Sequence, residues 1–233
     1  MRVLVGTSGY SYKPWKGTFY PEDLKDADML RFYSKHFPTV EINNTFYRMP
    51  TKTLLGRWAE EAAEGFTFVL KASQRITHQR RLANAAADVA YLFETAAALG
   101  PKLGPVLFQT PPFLKKDAAR LRDFLALLPA DQRAAFEFRH ASWFDEEVFE
   151  ALRARDAALC EADTDEEPVS GLRPTASWGY LRLRRAEYGD ADLSAWAGRI
   201  QSQPWTEAFV FFKHEDEGKG PALAAKLMAT LPG

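Results

Sequence analysis

The chain is poor in the residues that build disulfides and metal centres. It has one cysteine and four histidines in 233 residues, and no His-x-x-x-His or Cys-x-x-Cys pair. The single Cys160 excludes an intrachain disulfide and fits the reducing cytoplasm, where we expect it to be a small buried core residue. We predict no metal ligands; one hard cation on Glu41, Glu137 and Asp163 is the alternative.

Long apolar runs and a strong net charge are also missing. No segment approaches the roughly 18 consecutive apolar residues of a transmembrane helix, and the amino terminus enters a strand pattern without a signal-peptide region. We therefore expect a cytoplasmic protein with no membrane partner. The formal net charge of −1 provides no overall field that would recruit nucleic acid or an anionic membrane.

Apolar, β-rich runs alternate with helical patterns along most of the chain. The helical patterns lie near 29–37, 54–62, 89–99, 121–128, 148–152, 193–200 and 223–231. The β-rich runs are 3–7, 39–43, 66–71, 105–109, 134–139, 157–161, 178–183 and 208–213. Such alternation predicts a parallel sheet, because parallel neighbours need a crossover.

Eight such repeats predict an α/β fold of the TIM type, a (β/α)8 barrel, as a single domain over residues 1–233. The rival is an open doubly wound sheet, but no Gly-x-Gly-x-x-Gly turn follows the first strand. The link 162–177 contains Pro168 and Pro174 and is too polar for a regular helix, so we expect an irregular crossover between strands six and seven.

Polar residues interrupt the apolar strands at their carboxyl ends. Side chains of a strand alternate between its faces. In 134–139, Phe136 and Phe138 suit the helix layer, which directs Glu137 and Arg139 to the barrel axis. The same reasoning directs further residues inward: Glu41, Asn43, Lys71, Gln109, Glu161, Arg182 and Lys213, with Asp163 just beyond Glu161.

These residues lie where barrel enzymes hold their active sites. Four carboxylates face four cations, so most can stay ionised by pairing. The structural alternative is an internal salt-bridge network that only closes the barrel. Buried ion pairs stabilise less well than apolar replacements, so we favour a functional site.

Aromatic and basic residues surround the predicted site. Loop 6–20 is rich in aromatics and includes Tyr10, while Tyr47 and Trp143 lie near other strand ends. Such rings suit stacking on sugars or bases; the alternative is an apolar cluster that fixes the loops. His140 and His214 follow strands five and eight. The basic loop 73–81 could attract phosphate, although a solvated loop is the simpler interpretation.

Five motifs resemble those of the YecE-like family, also called the domain of unknown function 72. They are Gly6-Thr-Ser-Gly-Tyr-Ser-Tyr, Phe19-Tyr-Pro, Glu41-Ile-Asn-Asn-Thr-Phe-Tyr, Gln109-Thr-Pro-Pro and Glu137-Phe-Arg-His-Ala-Ser-Trp. The resemblance implies a TIM-type barrel and no particular activity. The runs Arg182-Leu-Arg-Arg and Lys213-His214 depart from the family pattern and add positive charge on one side of the mouth.

We predict a site that binds, and hydrolyses or isomerises, a polar anionic or sugar-like small molecule. Glu41 and Glu137 would act as acid and as base or nucleophile, one of them protonated by crowding, with Arg139 as the third catalytic residue. The predicted binding residues are Tyr10, Asn43, Tyr47, Lys71, Gln109, His140, Trp143, Asp163, Arg182, Lys213 and His214. The sequence does not identify a cofactor.

Three alternatives remain open. The first is a nucleic-acid or nucleotide binder without catalysis, which would use the aromatic loops and the basic loop 73–81. The second is a metal-dependent nuclease-like barrel, and the third is a scaffold protein with a vestigial site.

Overall fold

The computed structural model describes residues 1–231, in which eight parallel strands close into a barrel. Each strand pairs with the next in the chain, and the last pairs with the first. The strands are β1 (Arg2–Ser8), β2 (Thr39–Ile42), β3 (Thr67–Lys71), β4 (Leu103–Gln109), β5 (Ala134–Glu137), β6 (Ala158–Asp163), β7 (Trp178–Leu183) and β8 (Glu207–Phe212). The predicted TIM-type barrel is confirmed.

Seven α-helices pack around the barrel in the described part of the chain. They are α1 (Met29–Tyr33), α2 (Lys52–Glu61), α3 (Ala86–Ala96), α4 (Ala118–Leu125), α5 (Glu146–Arg153), α6 (Asp190–Gln201) and α7 (Lys219–Thr230). Side-chain caps begin three of them: Thr51, Asp117 and Asp145 accept hydrogen bonds from backbone amides of the first turn of α2, α4 and α5. Each predicted helical region contains a helix.

The connection from β6 to β7 differs from the others. Residues 164–177, all of which the structure describes, contain no helix, as predicted. The chain instead forms a polar loop beside the end of β6. This loop supplies partners for two acidic side chains of that strand, as described below.

Small and large apolar side chains fill the barrel interior beneath its carboxyl-terminal mouth. This interior cluster comprises Leu4, Val69, Leu107, Ala135, Ala158, Cys160, Trp178, Tyr180, Phe209 and Phe211. Cys160 is buried, as predicted, and it lies inside the barrel. Trp178 begins β7 and so lies at the opposite end from the mouth.

Two other apolar clusters lie between the strands and the helices. Close packing of this layer requires glycine at position 6 in β1, because a Cβ there would lie 2.1 Å from the carbonyl oxygen of Thr39.

No helix among the described residues combines the length and the hydropathy needed to span a bilayer.

Candidate functional site

A buried arginine joins two buried glutamates at the barrel mouth. Arg182, on β7, is 2% exposed. Its Nη1 donates to Oε2 of Glu137 at 2.6 Å, and its Nη2 donates to Oε1 of Glu41 at 2.9 Å. Glu41 and Glu137 come from β2 and β5, so one guanidinium links three strands. The predicted convergence of these residues on the barrel axis is confirmed by this geometry.

Neutral donors complete the coordination of Glu41. The Tyr180 hydroxyl donates to Oε2 at 2.6 Å, the Ser8 hydroxyl donates to Oε1 at 2.7 Å, and Asn43 Nδ2 lies 3.3 Å from Oε1. Glu41 has no exposed surface. It is therefore an internal anion whose hydration is replaced by protein donors.

Glu137 is held by Gln109 as well as by arginine. Gln109 Nε2 donates to Oε1 at 2.7 Å, and Arg184 Nη1 lies 3.5 Å from the same oxygen. Gln109 Oε1 in turn accepts a hydrogen bond of 2.7 Å from Nζ of Lys71. A continuous chain of hydrogen bonds thus crosses the mouth from Lys71 on β3 to Ser8 on β1.

Both glutamates are ionised at neutral pH in this arrangement. Burial alone would raise the pKa of each carboxyl. The positive charge of Arg182 and the hydrogen bonds outweigh burial, lowering the pKa of Glu41 below its usual range and that of Glu137 to about 2. The expectation that crowding keeps one glutamate protonated is therefore wrong for this state of the protein, because the two carboxylates share a cation.

Lys71 is the one member of this chain of hydrogen bonds whose charged form is destabilised by its surroundings. Burial, Arg182 and Lys213 lower the pKa of its ammonium to about 8, against the opposing effect of Glu137 and Glu41. Its Nζ also lies 4.3 Å from the centre of the Phe46 ring. Lys71 is half-buried at the end of β3, where the interior opens to solvent.

Besides Lys71, two further cations at the mouth make no ion pair within residues 1–231. Arg139 and Lys213 are both exposed. The predicted inward position of Arg139 is wrong, because β5 ends at Glu137 and the alternation of a strand no longer applies two residues later. Arg139 instead lines the rim of a cavity of about 740 Å³ that has Glu137 and Arg184 in its wall.

The predicted orientation of the end of β6 is also wrong. Ala158 and Cys160 face the barrel interior, so Glu161 and Asp163 face away from the axis. Glu161 accepts hydrogen bonds from the backbone and side chain of Arg173. Asp163 accepts from Arg185 Nε at 2.9 Å, from the Tyr188 hydroxyl at 2.8 Å and from the amide of Val169.

The aromatic candidates do not surround the central charges. Tyr10 packs against Tyr33 in the outer apolar layer. Trp143 is fully buried, stacks on Phe138 at 4.5 Å and donates from Nε1 to the carbonyl of Leu114. These two positions are corrections to the sequence-based site.

Tyr47 is 73% exposed and lines a separate groove next to α2 and α3. It too lies apart from the central charges.

The two histidine candidates hydrogen-bond to loop backbone, His140 within its own loop and His214 in the loop that follows β7. His140 Nδ1 accepts a hydrogen bond from the amide of Ser142 and so begins a short 3-10 turn. His214 Nε2 lies 2.7 Å from the carbonyl oxygen of Arg185, and burial lowers the pKa of its imidazole.

The basic loop 73–81 is neutralised only in part, because two of its three arginines share one carboxylate. It folds into a π-helical turn, Arg75–Gln79, and Arg75 and Arg80 both pair with Asp88 of α3. No group of three or more His, Cys, Asp or Glu among the described residues could hold a metal ion.

Sequence reasoning missed Ser8, Tyr180 and Arg184 as members of the site. Tyr180 could have been found, because it shares the alternation of Arg182 on β7 and therefore had to face inward with it. Ser8 lies inside the first motif, but a serine at a strand end gives no specific signal. Arg184 lies beyond the end of its strand, where alternation gives no direction.

Comparison with known proteins gives curated relatives that match between about two thirds and three quarters of the chain. YunF of Bacillus subtilis is 32% identical over 157 residues, and YecE of Escherichia coli K12 is 29% identical over 176 residues. These matches cover 64% and 74% of this chain but only 54% and 62% of the relatives. The chain thus spans little more than half of the length of the curated relatives it matches.

The fold is shared with solved structures. A DUF72 family protein from Thermotoga maritima superposes with a TM-score of 0.84 at 26% identity and covers 98% of both chains. One from Enterococcus faecalis gives a TM-score of 0.83 at 19% identity and covers 98% of this chain and 95% of that chain. The family described as "Protein of unknown function DUF72" matches residues 4–233, and the chain belongs to that family.

Proposed function

We propose that the barrel mouth binds a small polar molecule through an anionic group, a phosphate or a carboxylate. The observation that carries this proposal is the unequal pairing of charges. Glu41 and Glu137 are satisfied by Arg182 and neutral donors, whereas Lys71, Arg139 and Lys213 have no carboxylate partner within the described residues.

The unpaired cations act on shared neighbours. Lys213 contributes to lowering the pKa of Lys71, and Lys71 and Arg139 add to the effect of burial in lowering the pKa of His78. Arg184 adds a fourth cation beside Glu137 at 3.5 Å. An anion bound between them would form charge-assisted hydrogen bonds and relieve the repulsion among them.

The cavity beside Arg139 and Arg184 provides space for the rest of a ligand whose anionic group these arginines would bind; Lys71 and Lys213 are not among the residues that line it. At about 740 Å³ it is of the usual size for a small-molecule site, and exposed Phe144 lines one side with Arg173 5.3 Å from its ring centre. A sugar ring or a planar group attached to the anion would contact this ring. The walls therefore favour a polar ligand with one ring or one short apolar part.

For catalysis, the site offers ionised carboxylates. Glu137 lines the cavity; its low pKa makes it a weak base, so it would act as a nucleophile, with Arg139 binding the developing charge. Glu41 is fully buried and would act only by positioning Arg182. Hydrolysis or isomerisation by these residues stays a prediction.

Thermal unfolding in the presence of anions tests the binding proposal. Inorganic phosphate and malonate are expected to raise the Tm of the protein more than potassium chloride of the same ionic strength does. The Arg139→Gln and Lys213→Gln variants are expected to lose most of this shift. Lys35→Gln is the matched control, because Lys35 is an exposed residue that follows α1 and lies at the opposite end of the barrel.

Equal shifts with phosphate and chloride would refute the proposal. The same conclusion would follow if the two mouth variants responded to phosphate as strongly as Lys35→Gln does.

A nucleotide or single-stranded nucleic acid is the second candidate ligand. The observation that favours it is a pair of exposed rings with arginines beside them: Phe113 with Arg81 and Phe144 with Arg173, each at 5.3 Å. Stacking on such rings is tolerant of sequence. A labelled oligonucleotide is expected to bind at low salt and to dissociate steeply as salt rises; no binding at low salt would exclude this candidate.

A further inference from the structure

Resting on the proposed anion site, we propose that Lys71 is a nucleophilic amine that forms an imine with the carbonyl carbon of the bound molecule. The ligand class is then an anionic oxo compound: a 2-oxo acid or a phosphorylated aldehyde or ketone. This assignment gives a chemical role to the lysine of the hydrogen-bond chain, whose charged form its surroundings destabilise.

The position of Lys71 is that of a reacting group rather than of a structural ion. It ends β3 at the carboxyl-terminal mouth, half-buried, with an amide oxygen and an aromatic ring as its immediate neighbours. A structural lysine in such a site would be expected to pair with a carboxylate. Here Glu137 is one residue further along the chain of hydrogen bonds, behind Gln109.

Gln109 has one fixed orientation because its Nε2 donates to Glu137. Its Oε1 is therefore presented to Lys71 and accepts one of the three ammonium protons. The Phe46 ring lies against another side of Nζ, a contact that favours the ammonium but offers no counter-ion. The amine is positioned without being permanently occupied by a counter-ion.

Burial, more than the neighbouring charges, favours the neutral form of Lys71. Arg182 and Lys213 oppose protonation, Glu137 and Glu41 favour it, and burial opposes it most strongly. Nucleophilic lysines are activated in this way, by desolvation and neighbouring cations. With a pKa of about 8, roughly a tenth of the amine is neutral at pH 7, compared with roughly 0.0004 for an ordinary lysine.

The step is balanced without an oxidant or reductant. The ammonium of Lys71 first releases one proton to solvent, and the nitrogen lone pair then attacks the carbonyl carbon. The carbonyl oxygen takes one proton from the attacking nitrogen and one from solvent, and it leaves as water while the C=N bond forms. The protonated imine keeps the positive charge of the original ammonium, so the balance with Glu137 and the ligand's anion is unchanged.

Reductive trapping on the wild-type protein tests this inference. The protein is incubated at pH 7 with glyoxylate or glyceraldehyde 3-phosphate, and separately with uncharged propionaldehyde, in the presence of cyanoborohydride as the hydride donor. Peptide mass spectrometry then gives the labelling rate of each lysine. Lys71 is expected to react with the anionic carbonyl compounds at least about tenfold faster than any other lysine, and inorganic phosphate is expected to suppress that reaction.

The pH profile and two variants add independent readouts. Labelling of Lys71 is expected to rise with pH and to level off above about pH 8. Lys71→Arg keeps the positive charge and is expected to lose the fast label. Lys35→Arg is the matched control and is expected to retain it.

The outcomes separate this inference from the proposed function. Stabilisation by phosphate together with uniform labelling of all lysines would overturn the role of Lys71 and leave the anion site standing. Uniform labelling without any stabilisation by phosphate or malonate would overturn both.

Discussion

Replacing Arg182 by methionine is expected to destabilise the protein more than any change to its surface charges. Arg182→Met leaves the aliphatic part of the side chain but removes the cation that Glu41 and Glu137 share. Breaking a buried ion pair from one side costs about 3–5 kcal/mol, because the remaining charge is uncompensated. Here two carboxylates are left, so we expect a loss at the upper end of this range at pH 7.

The pH dependence of the variant is expected to be opposite to that of the wild type. In the wild type the pKa of Glu137 is about 2, below its ordinary value of 4.5. Its contribution to stability is therefore fully present above pH 4.5 and is lost as the pH falls toward 2. In Arg182→Met, burial and mutual repulsion raise the folded-state pKa of Glu41 and Glu137 instead. The variant is then more stable at pH 5 than at pH 7.

Urea denaturation at pH 7 and pH 5 measures both effects. Arg122→Met is the control, because Arg122 pairs with Glu147 on the surface and is 52% exposed; its cost is expected to stay below about 1 kcal/mol. Adding Glu41→Gln and Glu137→Gln to Arg182→Met is expected to recover at least about 2 kcal/mol, because the uncompensated charge is gone. A loss below about 1 kcal/mol for Arg182→Met, with no reversal between pH 7 and pH 5, would refute the reasoning.

Three further predictions concern single sites. Burial raises the pKa of the Cys160 thiol, so it is expected to react with a disulfide reagent only as the protein unfolds; rapid reaction of the folded protein would contradict its interior position. Gly6→Ala is expected to cost about 1–3 kcal/mol because of the clash with Thr39, whereas Gly56→Ala meets no atom within 4 Å in α2 and is expected to stabilise by about 0.5–1 kcal/mol; similar urea midpoints for both would contradict the steric argument. Since the pKa of Lys71 falls from 10.5 to about 8 on folding, the unfolded chain binds more protons between these values. The free energy of unfolding should therefore rise from pH 8 to pH 10, and this rise should be absent in Lys71→Gln.

The barrel could be predicted from the sequence because apolar residues recur every second position in its strands and every third or fourth position in its helices. Val40 and Ile42 on either side of Glu41, or Phe136 and Phe138 around Glu137, define two faces of a strand without any knowledge of the partner strands. The same alternation placed Arg182 on the axis. It could not show that Arg182 would contact both glutamates, because that depends on the distance across the barrel.

The wrong predictions of side-chain direction fall where a loop rather than a helix covers a strand, or where the strand has already ended. On β6 the rule that apolar residues face the helices gave the wrong face, because a polar loop covers its carboxyl end. There Glu161 pairs with Arg173. The small side chains of Ala158 and Cys160 fit the barrel interior beside the bulky Tyr180. Arg139, Tyr10 and Trp143 lie in loops or turns, where neither period applies and only the three-dimensional packing decides the direction of a side chain.

The link between Arg182 and the two acids also sets an order for assembly. Arg182 lies 141 residues after Glu41 and 45 residues after Glu137 in the chain. A nascent polypeptide that has left the ribosome only as far as β5 already carries both acids but lacks the base that neutralises them. Glu41 and Glu137 would then stay hydrated at the barrel mouth until β7 docks. A fragment that ends before β7 would leave both carboxylates exposed to water.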